Sequence, residues 1–308
     1  MSAPAATHYI GRFAPSPTGP LHFGSLVAAM ASYADAKSNA GRWLLRIEDL
    51  DPPREQSGAA ASFPRVLASY GFQWDGAILH QSNRSAAYRA ALDRLRAGNK
   101  VFACGCSRAQ LNEAPLGATG ERVYPGTCRD GLAPGRSARS WRLRVESAAV
   151  TFVDRIQGPQ SQDLAQEAGD FVLLRADGLW AYQLAVVVDD WEQGVTDIVR
   201  GADLLSSTPR QIWLQRQLGA PVLRYAHVPA AVNAAGRKLS KQTRAPPLPM
   251  EHPVAMLCAA WRFLNQSMPV DEPWDVDEFW RWACAHWDVH CVPVGTMVRC
   301  RPDMSVGL

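Results

Sequence analysis

Residues Arg12 to Ser25, which read Arg-Phe-Ala-Pro-Ser-Pro-Thr-Gly-Pro-Leu-His-Phe-Gly-Ser, constrain this chain more than any other stretch. An apolar run from His8 to Phe13 leads in. Prolines and glycines then force a tight path, and Leu26 to Tyr33 follows with apolar residues at helical spacing. The layout is strand, rigid turn, helix. A helix that begins here aims free backbone N–H groups and the positive end of its dipole into the turn, which suits a phosphate. Gly24 leaves out a side chain where a flat ligand would approach, and His22 sits where it can donate to a phosphoryl oxygen.

The 308 residues suffice for one large or two modest domains. A net charge of +3 is too weak to announce nucleic acid, so any RNA contact must come from local patches. No apolar run is long enough to cross a membrane, and the first seven residues lack the parts of a signal peptide. Seven cysteines at irregular spacing do not read as a secreted disulfide framework, so the expectation is a cytoplasmic chain. Of 32 basic side chains only four are lysines, Lys37, Lys100, Lys238 and Lys241, and two of these share one tetrapeptide.

Along the chain, Gly41 is the expected stop of the first helix, and Arg42 to Glu48 reads as a short strand ending in Asp49-Leu-Asp51-Pro-Pro-Arg54. In an open parallel sheet, ligands gather at the carboxyl ends of strands where strand order reverses, so acids here are candidates for substrate contact. The plain alternatives are a turn at Asp51-Pro52 and a Glu48 paired with a neighbouring Arg. Helices are expected over 56–70, with Pro64 interrupting or starting its second part, and over 85–96. Cys104, Cys106 and Cys128 then fall in one Gly-rich stretch; thiolates so spaced favour zinc, with Tyr124, Glu121, Asp130 or water as fourth ligand. Arg142 and Arg144 share a strand face, either solvated or aimed at an RNA backbone. An Asp-Gly hairpin is expected over 170–182, a helix over 181–191, a strand over 194–201, a helix capped by Thr208 and stopped by Gly219, and a strand near 222–226. Gly236-Arg-Lys238-Leu-Ser240-Lys241 offers two flexible ammonium groups suited to a triphosphate that moves as it reacts. Residues 243–249 read as a Pro-rich linker and 254–264 and 276–287 as amphipathic helices. Cys258, Cys284, Cys291 and Cys300 read as core or free thiols, and 292–308 has no clear pattern.

Five of these strings resemble the class I aminoacyl-tRNA synthetases. The run from Arg12 to Gly24 is similar to their His-x-Gly-His motif in its glutamyl form, with Ser25 in place of the last His. Arg46-Ile-Glu-Asp-Leu-Asp51 is similar to the same branch. So are Cys-x-Cys with Tyr-x-x-x-Cys, the pair Tyr182 and Arg200, and Lys-Leu-Ser-Lys. The resemblance covers roughly residues 8 to 245. It implies an α/β fold with a Rossmann-type parallel sheet, a zinc-binding insertion and a small C-terminal helical domain. The implied division is 1–100 and 161–245 for the catalytic halves, 101–160 for the insertion and 246–308 for the helical domain. It implies L-glutamate held by Arg12, Phe13, Ala14, Pro15, Ser16, Glu48, Tyr182 and Arg200, with Glu48 on the ammonium group and the arginines on carboxylates. ATP with Mg2+ would lie against His22, Gly24, Ser25, Lys238, Ser240 and Lys241, with His22 and Lys241 catalytic. One structural Zn2+ would be held by Cys104, Cys106, Tyr124 and Cys128. The short region after the lysine loop further resembles the glutamyl-queuosine tRNA(Asp) synthetases, which activate glutamate without tRNA and esterify it to queuosine in the anticodon of tRNA(Asp). A monomer is expected. A short glutamyl-tRNA synthetase charging the 3′ end, and an RNA-binding paralogue without activity, are the alternatives.

Overall fold

The computed structural model describes residues 8–117, 120, 122–146, 149–232, 246–271 and 275–300. The first half runs β1 (Ile10–Phe13), α1 (Phe23–Ser38), β2 (Arg42–Ile47), α2 (Ala59–Ser69), β3 (Leu79–His80) and α3 (Ser85–Ala97). Next come β4 (Val101–Cys104), α4 (Arg108–Asn112), β5 (Ser140–Leu143), β6 (Ala149–Asp154), β7 (Gly158–Asp163), α5 (Leu164–Glu167) and β8 (Phe171–Leu174). The rest is α6 (Tyr182–Glu192), β9 (Asp197–Gly201), α7 (Thr208–Leu218), β10 (Arg224–Val228), β11 (Ala230–Val232), α8 (Pro253–Phe263), α9 (Val276–His286) and β12 (Met297–Arg299).

β1, β2 and β3 pair in parallel. β9, β10 and β6 do the same, with β7 antiparallel at the far edge. The two sheets meet where Thr196 N–H, just before β9, donates to Ile10 O at 2.9 Å. Strand order therefore reverses between β1 and β9, which opens a crevice at their carboxyl ends. β4, β5 and β8 form a separate antiparallel sheet beside it. No described helix is long and apolar enough to cross a membrane.

α1 is the central packing element. Its alanines and Leu26, Val27 and Met30 let it be buried on most of its circumference. The polar groups this traps are all paired. Ser32 Oγ donates to Arg12 O and accepts from Trp43 Nε1, each at 2.9 Å. Asp35 accepts from the Tyr9 hydroxyl, from Arg155 at 2.6 and 2.9 Å, and from Trp287 Nε1 at 2.9 Å. Buried charge without such partners would cost several kcal/mol, on the order of 3–5. The C-terminal helices join the same apolar core as α1: Phe263 packs edge-on against Phe23, and Trp280 against Tyr33 with ring centres 4.6 Å apart.

Local chemistry changes several expected boundaries. α1 ends at Asn39 and a left-handed Ala40, not at Gly41. Gly41 is needed for another reason, because a Cβ there would lie 2.6 Å from Tyr9 O. α2 runs through Pro64 without a break. The Asp-Gly hairpin is reduced to one bridge, Leu174 to Trp180, because Tyr182 already starts α6. Ser207, not Thr208, precedes α7, and the Thr208 hydroxyl is turned inward to other partners. Gly219 does end α7, at φ 70°. The region 292–300, unassigned from sequence, supplies β12, which pairs in parallel with β11.

Candidate active site

Two adjoining cavities occupy the crevice. The larger, about 680 Å3, is lined by Arg12, Phe13, Ala14, Ser16, Glu48, Tyr182 and Arg200 among others. The smaller, about 240 Å3, is lined by Pro15, His22, Gly24, Ser25 and Ala230–Ala231, and shares Phe13, Ser16, Thr18 and Gly201 with the larger. The crevice thus brings together every expected glutamate- and nucleotide-contacting residue that is described. Lys238, Ser240 and Lys241 lie outside the described residues. The chain on either side of them is close to His22: Ala231 lines the same cavity, and Leu248 N–H donates to Leu21 O at 2.9 Å.

His22 is the N-cap of α1. Its Nδ1 accepts from Ser25 N–H at 3.3 Å, while Ser25 Oγ accepts from His22 N–H at 3.4 Å. This reciprocal cap explains what the serine does in place of a second histidine. An Nδ1 that accepts places the ring proton of a neutral imidazole on Nε2.

The larger cavity sits over a buried ionic node that the motif reading missed. Arg12 Nε donates to Asp190 Oδ1 at 3.1 Å, and Arg46 Nη2 to the same oxygen at 2.6 Å. Arg46 Nη1 donates to Gln193 Oε1 at 2.8 Å, and its Nε lies 3.6 Å from Glu48 Oε1. Burial resists ionisation of Asp190, but Arg12 and Arg46 overcome it and hold its carboxyl below the usual range. Glu48 differs. Burial pushes it up to about 7 against the pull of Arg46 and Arg12. Its Oε1 is buried without a hydrogen-bond donor among the described residues. That oxygen faces Arg46 Nε, and Glu48 itself lines the cavity, where a carboxylate suits an ammonium group. The plain alternative, a Glu48 paired with a neighbouring Arg, is present at the same time through Arg46.

Arg200 has neutral partners throughout the described residues. Nε donates to His227 Nε2 at 3.0 Å, Nη2 to Thr208 Oγ1 at 2.9 Å and Gln211 Oε1 at 2.8 Å, and Nη1 lies 3.4 Å from the Tyr182 hydroxyl. Asp197, at the start of the same strand, accepts from Arg224 at 2.7 Å. A guanidinium that is hydrogen-bonded but not neutralised keeps its charge for a ligand carboxylate.

Outside the crevice, Cys104, Cys106 and Cys128 converge with their Sγ atoms all within 4.8 Å. Cys106 and Cys128 are 3.6 Å apart, and the Tyr124 hydroxyl is 3.5 Å from Cys104 Sγ and 3.8 Å from Cys106 Sγ. Tetrahedral zinc with Zn–S near ~2.3 Å sets ligands about 3.7 Å apart, so these donors fit a metal. Burial would raise the Cys104 thiol, but hydrogen bonding from Tyr124, the Cys106 amide and Arg142 brings it down to about 7. Of the other possible fourth ligands, Asp130 is exposed and Glu121 lies outside the described residues. Arg142 is neither solvated nor presented to RNA. It stacks 4.0 Å over the Tyr124 ring and donates to Asp170 O at 2.8 Å, because β5 is the middle strand of its sheet. Cys258, Cys284, Cys291 and Cys300 form no disulfide among the described residues.

Comparison with known proteins agrees with this geometry. The family described as "tRNA synthetases class I (E and Q), catalytic domain" matches residues 10–247. A glutamyl-Q tRNA(Asp) synthetase of Aromatoleum aromaticum is 56% identical over 290 residues, which covers 94% of this chain and 92% of that protein. One from Dechloromonas aromatica is 54% identical over 293 residues, 94% of this chain and 97% of the relative. The crystal structure of a glutamate tRNA ligase from Elizabethkingia meningosepticum, in complex with its amino acid, shares the fold. Its TM-score is 0.78 at 23% identity, over 96% of this chain and 68% of that one. A mixed α/β chain with a parallel sheet and its crevice at the strand-order reversal, it belongs to the class I tRNA synthetases of the E and Q type, among the glutamyl-Q tRNA(Asp) synthetases.

Proposed function

We propose that the protein activates L-glutamate with ATP in the absence of tRNA and then transfers it to queuosine in the anticodon of tRNA(Asp). The observation that carries the first step is a single cavity lined both by the carboxyl group of Glu48 and by a guanidinium at Arg200 whose partners among the described residues are neutral. Together they suit an ammonium group and a carboxylate on one ligand. Arg12 offers the second cationic edge, and Phe13, Ala14, Pro15 and Ser16 the backbone wall. The second step rests on likeness to the glutamyl-Q tRNA(Asp) synthetases across nearly the whole chain.

In this reading an oxygen of the glutamate α-carboxylate attacks the α-phosphorus of ATP. The bond from that phosphorus to the bridging oxygen breaks, and pyrophosphate leaves. His22 Nε2–H, the N-terminus of α1 and Lys241 stabilise the charge that develops, with Gly24, Ser25, Lys238 and Ser240 around the nucleotide. Mg2+ comes with the ATP. A hydroxyl of the queuosine base then attacks the adenylate carbonyl, and AMP leaves. A structural Zn2+ on Cys104, Cys106, Tyr124 and Cys128 would fix the insertion, 101–160, between catalytic halves 1–100 and 161–245, with 246–308 as a helical domain. The enzyme is read as a cytoplasmic monomer.

The test is incubation with ATP, labelled glutamate and total tRNA, followed by nuclease digestion. Label on the anticodon queuosine, together with glutamate-dependent exchange of pyrophosphate into ATP without tRNA, is the expected result. Label on the 3′-terminal adenosine, or exchange that strictly requires tRNA, would turn the assignment to 3′-end charging.

A further inference from the structure

Arg200 is held by a residue that lines neither cavity. Its Nε edge is held by His227 Nε2 at 3.0 Å, and an imidazole nitrogen can accept there only if the ring proton sits on Nδ1. His227 Nδ1 lies 2.6 Å from Asp154 Oδ2. Asp154 cannot swing away, because its Oδ1 accepts three backbone N–H groups, from Ile156 at 3.0 Å, Gln157 at 2.8 Å and His227 at 3.1 Å. Both side chains are fully buried. Asp154 ends β6, His227 lies in β10 and Arg200 in β9, so three adjacent parallel strands carry one line of hydrogen bonds to the cavity.

We propose that Asp154 and His227 are positioning residues for Arg200: the carboxylate fixes the Nδ1–H tautomer, and the acceptor so created at Nε2 turns the Nη1 edge of the guanidinium toward the side-chain carboxylate of the substrate. The inference rests on the reading of Arg200 as the residue that binds this carboxylate. It adds the reason for an imidazole at this place. A carboxylate in direct contact with Arg200 would neutralise it and remove the preference for glutamate over its neutral amide, glutamine. A neutral acceptor orients the guanidinium and leaves its charge intact. Burial, with Arg200 adding to it, pushes His227 down to about 4 despite Asp154, so the ring stays neutral in use.

The decisive variants are Asp154→Asn, His227→Gln and the double variant, assayed by ATP–pyrophosphate exchange. In Asp154→Asn the amide oxygen can keep the backbone bonds, while its NH2 faces Nδ1 as a donor. The ring proton then moves to Nε2, where it opposes the Arg200 Nε–H. The KM for glutamate should rise roughly 10- to 100-fold, with the KM for ATP within about twofold and discrimination against glutamine reduced. Gln has no tautomers, and it can turn Oε1 to Arg200 whatever stands at 154. The double variant should therefore recover to the level of His227→Gln alone. Nitrogen-15 NMR of histidine-labelled protein reads the tautomer without any activity, with Nδ1–H expected in the native chain and Nε2–H in Asp154→Asn. Three results overturn the proposal: no change of tautomer in Asp154→Asn, a change of tautomer with glutamate KM unaltered, or no recovery in the double variant. If Arg200→Gln itself left glutamate KM unchanged, the reading of Arg200 would fail instead, whatever the variants at 154 and 227 did.

Discussion

The cysteine cluster and the amino-acid pocket are both polar and both buried, and they are held by opposite means. In the cluster, Cys104, Cys106, Tyr124 and Cys128 come from one stretch of chain and turn toward one another, with three thiols placed where they could share a metal. In the pocket, Arg12, Arg46 and Asp190 come from β1, β2 and α6, and each charge meets its opposite within the chain. The first is a set of donors that could hold a metal ion. The second is a self-supporting frame beneath the cavity that Glu48, Arg12 and Arg200 line. A cluster of the first kind should fail locally and by chelation, and one of the second globally and by mutation.

Metal removal should have the largest effect. A strong chelator should release about one zinc per chain and open residues 104–128 to protease, since structural zinc supplies on the order of 10 kcal/mol in small domains. Intact resistance to protease with no metal released would show the thiols to be self-sufficient and erase the contrast. Next is Asp190→Ala, which leaves two buried guanidinium groups without their shared acceptor. It should lower unfolding free energy by about 3–5 kcal/mol in a denaturant titration, and an unaltered midpoint would mean that the frame does not depend on it.

Glu48→Gln should be milder for the fold and specific for the substrate. Because Glu48 ionises near 7, native KM for glutamate should fall as pH rises from 6 to 8, as the carboxylate needed by the ammonium group forms. The variant should have a KM about tenfold higher that no longer varies with pH, and a persistent slope would assign the titration elsewhere. The smallest effect concerns acid stability. The folded pKa of His227, about 4, lies below the ordinary 6.5, so the unfolded chain takes up the proton first. Stability from this site is complete above 6.5 and lost as pH falls toward 4. Glu48 slopes the other way between 4.5 and 7, since its raised value favours the protonated fold. The difference in Tm between the native chain and His227→Gln isolates the histidine, and should shrink by a few degrees, ~2–4 °C, from pH 7 to pH 5.

The same contrast explains what could be read from sequence. The cysteine spacing, the turn from Arg12 to Ser25 and the Arg42 strand are local, so their residues fall in short strings. The ionic node is not, since Asp190 is 178 positions from Arg12 and 144 from Arg46. A signal was present: Asp189 and Asp190 lie within an otherwise apolar helix, and Arg46 within an apolar strand. Charges in such places must find one another. The Asp154–His227–Arg200 line was hidden for a similar reason, because its members become neighbours only through the pairing of three strands. Arg142 misled because alternation marks one face of a strand without saying that a tyrosine ring will cover it.

α1 has a consequence for how distant parts of the molecule are coupled to the crevice. One end of this helix is the cap at His22, while Phe23 and Tyr33 along its side are clasped by Phe263 and Trp280. The helix thus ties the His22 cap mechanically to the C-terminal pair of helices. A shift of that pair would be carried straight along the helix to the His22 cap and the cavity it lines, with no loop needed to carry the message.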